Sequence, residues 1–250
     1  MNTSVVRYFG GSALLVLALT ACGGPANPAG TGGGVASETP ATATPTPTPT
    51  EDAFKMLTSE ELDEIAGAVK DADNVALAVM PAAKVSQALD QMMAIMNEVQ
   101  VEPAECNSIA TGTALKPDSN TTMAVGASTS STAELSQTLS LLSGVDKEIL
   151  EETLSARSKE IADCANLSMN IRGVSMTATT IGLDSGSDTP GAIAMQTDVT
   201  LPTGGTQSTV MTFAVKGGVL ISAQASGTGV TSADLASAVA LLDQAAALID

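Results

Sequence analysis

Apolar residues recur along this chain with two different periods, and the change comes at Leu167. Before it the spacing is helical. Leu62, Ile65, Ala66 and Val69 fall on one face of a segment over residues 58–70, three to four apart as an amphipathic helix requires. Thr58 and Glu61 stand at capping-box spacing, and Leu57 can staple onto Leu62. Residues 75–80 read as a short apolar strand, and Pro81 suits the first turn of a helix. That helix carries Val85, Leu89, Met92 and Met96 on one stripe. The turn Glu102-Pro103-Ala104-Glu105-Cys106 ends it. A strand over 121–127 and two helices over 132–142 and 146–164 follow. On the second of these helices Leu150, Leu154, Ile161 and Cys164 share a face. Arg157 falls among them on the apolar side. It snorkels, marks a break at 155–158, or lines a cleft and meets an anionic group on a ligand.

From Leu167 the period is two. Leu167, Met169 and Ile171 alternate with polar residues, as do Ile193, Met195, Thr197, Val199 and Leu201, and then Met211, Phe213 and Val215. Gly217-Gly218 joins the last run to residues 219–224, a good two-residue hairpin signal. A closing helix starts at Thr231, with Leu235, Val239, Leu242, Ala246 and Ile249 on its stripe and Asp234 in its first turn, where a negative charge is favourable. The pattern predicts an α+β fold: a single, mostly antiparallel sheet with helices packed on it. No internal repeat is visible.

Charge narrows the partners. The 250 residues carry 10 Lys+Arg, 27 Asp+Glu and no His, a net charge of −17. An acidic surface cannot neutralise phosphates, and Tyr8, Phe9, Phe54 and Phe213 are all the aromatics there are, so stacking platforms for single strands are missing too. Nucleic acid is excluded as a partner. Anionic lipid headgroups are repelled, so any membrane attachment is covalent or apolar. Without His there is no Ser-His-Asp or Cys-His arrangement. No S-x-x-K, G-x-S-x-G or H-E-x-x-H motif occurs. The chain reads as no enzyme, with no metal and no cofactor.

The first residues are an address. Arg7 gives a positive n-region, and the apolar run at 11–19 is far short of the roughly 20 residues of a spanning helix. Leu19-Thr20-Ala21-Cys22 then resembles a bacterial lipobox, with 1–21 as a lipoprotein signal peptide and Cys22 as the acylated residue (palmitate or a similar chain). More than one acyl chain anchors stably. Residues 22–52 form a Gly/Thr/Pro-rich tether without an apolar face to bury, expected to be disordered. Its Thr-Pro run favours polyproline II, and residues 23–50 could reach roughly 85 Å at about 3.1 Å per residue. The folded domain spans 53–250. The chain is thus placed at the cell membrane, lipid-anchored on the extracytoplasmic side.

Cys106 and Cys164 are the thiols that remain. Outside the cytoplasm such a pair reads as a disulfide. Its spacing fits neither a C-x-x-C redox site nor a zinc knuckle. Two further clusters have bland explanations. Met92-Met93-x-x-Met96 could hold Cu(I) but reads as core filling. Asp184-Ser185-Gly186-Ser187-Asp188 offers too few ordered oxygens for calcium and reads as a solvated loop.

The order of parts resembles the PknH-like extracellular sensor domain of actinobacterial lipoproteins and kinase ectodomains. The resemblance covers about 70–250 and rests on several features. These are the Glu102–Cys106 turn after a helix, Cys164 at the end of a later helix, the strand series, the Lys216-Gly217-Gly218-Val219-Leu220-Ile221 hairpin and the alanine-rich closing helix. It implies helices around a cleft and a non-catalytic sensor or ligand-binding role. The family's founding member is described with two disulfides and this chain can make one, which leaves the cleft walls open. With no kinase segment in the sequence, a signal passes through an unknown envelope ligand or protein partner. The alternative function is a lipid or glycolipid carrier with an adaptable Met- and Ala-rich pocket, and a third reading is an accessory envelope component.

Overall fold

One antiparallel sheet of nine strands organises the domain. The computed structural model describes residues 56–107, 120–130 and 135–249. In chain order the elements are α1 (Ser59–Ala68), β1 (Ala78–Val79), α2 (Ala82–Met96), β2 (Val99–Glu102), β3 (Thr122–Ser130), β4 (Leu135–Ser143), α3 (Lys147–Asp163), β5 (Asn166–Ile171), β6 (Val174–Leu183), β7 (Ile193–Thr200), β8 (Thr206–Lys216), β9 (Val219–Gly227) and α4 (Leu235–Ala247). Short 3-10 turns cover Ala104–Cys106 and Ser232–Asp234. The strands lie in the order β1-β3-β4-β9-β8-β7-β6-β5-β2. The expected α+β class is confirmed, and so is the disulfide: Cys106 and Cys164 are bonded across a sequence separation of 58, with their Cα atoms 5.7 Å apart.

Local signals set the boundaries. The Thr58 hydroxyl accepts from the Glu61 backbone N–H, while the Glu61 carboxylate accepts from the Thr58 N–H at 2.8 Å. Thr231 and Asp234 form a second box before α4. Gly217 and Gly218 both take positive φ, 54° and 82°, as a tight hairpin of this type demands. Lys216 accordingly pairs with Val219.

Residues directly opposite in the register share a face. On one face α1 and α4 cover β3, β4, β9 and β8. Leu62 and Ala66 of α1 and Val69 just after it join Leu241, Leu242 and Ala245 of α4 against Leu139, Leu141, Ile221 and Ala223. Gln244 ties the two helices together, its side chain donating to the Lys70 carbonyl at 3.0 Å and accepting from the Lys70 N–H at 3.1 Å. On the opposite face α3 covers β5 to β8. Ile161 and the Cys106–Cys164 bond pack there on Leu167, Met169, Met195, Met211 and Phe213.

Three expectations are corrected. Residues 132–142 are not a helix: β4 runs through Leu135–Ser143 and pairs with β3 and β9. The spacing of Leu135, Leu139 and Leu142 imitates a helix. The buried residues Gln137, Leu139 and Leu141 have period two, and pairing on both edges decides in favour of the strand. The sheet is larger than expected because β2 and β6 join it. The α2 stripe is not core: Val85 is buried, Leu89, Met92 and Met96 are half-buried, and Met93 and Ile95 are exposed. This helix carries the chain from the edge strand β1 to the opposite edge strand β2 and packs little on the way.

Candidate functional site

Arg157 is the side chain whose surroundings least resemble ordinary packing. It sits nearly three turns into an unbroken α3, so the expected break at 155–158 does not occur. Only 9 % of the residue is exposed. Leu150 and Ile161 of the same helix are buried, and their spacing turns Arg157 towards the sheet. Its guanidinium lies over the ring of Phe213, with Cζ 5.2 Å from the centroid. Its Nη1 has no hydrogen-bond partner among the described residues. Burial pulls the Arg157 pKa down from its ordinary value, partly opposed through space by Glu160.

Magnitudes show why this is unusual. A desolvated cation–π contact supplies about 2 kcal/mol. Keeping a charged group in the interior without a hydrogen-bonded counter-ion costs several kcal/mol. The ring does not offset the burial, so the position lowers the stability of the domain.

Beside it lies an uncharged polar patch. Phe213 is directly opposite Ser222, and Ser222 is opposite Ser140. One row on, Met211 faces Gln224 and Gln224 faces Thr138; two rows on, Thr209 faces Ser226 and Ser226 faces Ser136. The six residues on β9 and β4 form a block of hydroxyls and one amide, all half-buried, whose nearest member, Ser222, is one strand spacing from the ring under Arg157. Neither strand contains a charged residue, in a chain with 27 Asp+Glu. Deeper under the C-terminal half of α3, Thr180 and Thr197 are opposite one another and bury unpartnered Oγ1 atoms.

The disulfide bounds this region. Cys164 caps α3 and Cys106 closes the turn after β2, so the bond fixes the helix end over the sheet. Cys22 and the tether lie outside the described residues. Among the described residues no cluster of His, Cys, Asp or Glu could hold a metal ion, and no helix is long and apolar enough to cross a membrane. The Met92, Met93 and Met96 side chains lie on the little-packed α2, half-buried or exposed.

Two other features were not foreseen. The acidic turn is held rather than free: Asp243 of α4 accepts from the Ser187 hydroxyl at 2.6 Å, the Thr189 hydroxyl at 2.7 Å and the backbone N–H groups of Asp188 and Thr189 at 3.2 Å. Burial acts to raise the Asp243 pKa, but these hydrogen bonds outweigh it and the pKa is lowered from 3.8. The only sequence signal was a lone Asp on an otherwise apolar helix. A half-open cavity of about 290 Å³ lies between α1 and the end of α4, lined by Leu57, Ile65 and Ile249 with Glu61 and Glu64 at its rim. It does not include Arg157.

No family model matches this chain, and no curated protein matches it. Among solved structures it is similar to the extracellular domain of PknH from Mycobacterium tuberculosis, with a TM-score of 0.48 and 10 % identity over 79 % of this chain and 98 % of that one. It is also similar to an uncharacterized Rv0999 ortholog from Mycobacterium smegmatis, with a TM-score of 0.40 and 14 % identity over 60 % of this chain and 76 % of that one.

Proposed function

We propose that this chain is an extracytoplasmic lipoprotein, anchored through Cys22, whose non-catalytic domain recognises an anionic group at Arg157. The observation that carries the reading is the buried guanidinium with an unpartnered Nη1. A buried polar group without a partner calls for a reason, and an anion on a ligand or a partner protein supplies the acceptor that Nη1 lacks. The planar fork of Arg suits carboxylate or phosphate. The lipobox and the tether are the support for the address. A lipid carrier needs an enclosed apolar cavity; the cavity by α1 is half-open with two carboxylates at its rim, and it gives that alternative no support.

Thermal unfolding of the full chain, with inorganic phosphate against chloride at matched ionic strength, tests the site. Ligand binding to the folded state raises Tm by mass action. The wild type is expected to gain Tm in phosphate beyond any gain of Arg157→Met, which reports the salt effect alone. Equal gains in both proteins overturn the reading. Palmitate labelling of wild type against Cys22→Ala tests the anchor, and equal labelling removes it.

A further inference from the structure

Resting on the anion reading, we infer that the ligand at Arg157 is an acidic carbohydrate: a sugar bearing a phosphate or a carboxylate. The floor next to the guanidinium is the uncharged block of Ser222, Gln224, Ser226, Ser140, Thr138 and Ser136 on β9 and β4. Hydroxyls and carboxamides both donate and accept, which is what a run of sugar hydroxyls requires. A lone inorganic anion has no use for such a floor. An acyl chain would have to desolvate it without return. A nucleotide base finds no ring to stack on, since Phe213 is 5 % exposed beneath the guanidinium. No carboxylate lies on these two strands, so the floor itself does not repel an anion, and Glu160 of α3 is the acid that acts on the guanidinium through space. The register places Ser222, the nearest residue of the patch, one strand spacing from Phe213 and Ser140 one spacing beyond it, so a sugar whose acidic group meets Arg157 lies over the near end of the floor.

Saturation-transfer NMR on the full chain in detergent, with glucose 6-phosphate, glucuronate, glucose, inorganic phosphate and an acidic peptide as separate probes, tests this. Both acidic sugars are expected to bind about ten-fold more tightly than either glucose or inorganic phosphate, the worth of one charge-assisted or a few neutral hydrogen bonds. Arg157→Gln should remove the advantage over glucose. Gln224→Leu, on a half-buried strand position, should remove the advantage over phosphate, and it keeps the test available if Arg157→Gln does not fold. If phosphate binds as well as glucose 6-phosphate and both need Arg157, the carbohydrate is wrong while the anion site stands. Preference for the acidic peptide likewise overturns the carbohydrate alone. If no probe binds, both readings fall.

Discussion

The two faces of the sheet are built to different rules. Under α1 and α4 the contacts are aliphatic and closed: Leu62, Leu139, Leu141, Leu241 and Leu242 have no exposed surface. Under α3 the layer is rich in sulfur and mixed in polarity. It holds Met169, Met195, Met211, the cystine and Phe213, together with three of the four buried orphan atoms among the described residues, on Arg157, Thr180 and Thr197. Methionine adapts to irregular space where leucine defines it. The comparison teaches where this small domain keeps its stability and where it departs from best packing, and departures of that kind gather at functional sites.

The sharpest way to break the comparison is to truncate matching side chains. Leu242→Ala on α4 is expected to cost about 2–5 kcal/mol in urea unfolding. Met92→Ala on the little-packed α2 should cost well under about 1 kcal/mol, as surface substitutions do. Equal losses would show that α2 is as much a part of the core as α4. The disulfide is the next largest effect. Closing a 58-residue separation contributes on the order of 4 kcal/mol in the chain-entropy model, so Cys106→Ser/Cys164→Ser should unfold at much lower urea. A midpoint unchanged from wild type would remove the bond from the account.

Arg157→Met moves in the other direction. Exchanging an unpartnered buried charge for an apolar chain should stabilise the protein by on the order of 1 kcal/mol or more, and a destabilised variant would mean that the guanidinium is satisfied after all. Asp243→Asn should cost roughly 1–2 kcal/mol, from weakened hydrogen bonds to the β6–β7 loop. Its linkage has a definite sign. The folded pKa lies below the ordinary 3.8. The contribution is therefore complete above that value and is lost as pH falls through the lower, folded pKa. The gap in urea midpoint between wild type and Asp243→Asn should begin to narrow as pH is lowered below 3.8; a gap that stays constant down to the acid limit of folding would assign the effect to shape. The smallest effect is expected at Arg172, whose pair with Glu98 joins the end of α2 to the β5–β6 turn. Both groups are exposed, water and salt screen them, and Arg172→Ala should leave the midpoint unchanged within error.

What could be read from the sequence follows from how local each signal is. Thr58, Thr231 and Gly217-Gly218 act over a few residues, and the structure has both capping boxes and the hairpin in place. The closing stripe of Leu235, Val239, Leu242, Ala246 and Ile249 is buried throughout, because one long amphipathic helix has a single way to face a sheet. β4 was misread because a leucine spaced every three or four residues over nine positions serves either period. β6 was missed because Thr177, Thr179 and Ile181 face solvent, which leaves no apolar alternation to read. Arg157 was visible as a misfit on an apolar helix face, but its partner ring lies on a strand distant in sequence.

The residues by themselves determined both capping boxes, the Gly217-Gly218 hairpin, the closing helix, the cysteine pair, the net acidity and the misplaced cation. Only the tertiary structure decided that β4 is a central strand, that the methionines of α2 stay outside while those of β5, β7 and β8 go in, and that Arg157 comes to rest on Phe213 beside a neutral hydroxyl floor. The reason is physical. Caps and turns are settled by neighbours along the chain, whereas burial and the availability of a counter-ion depend on which strands pair, and pairing is a property of the whole sheet.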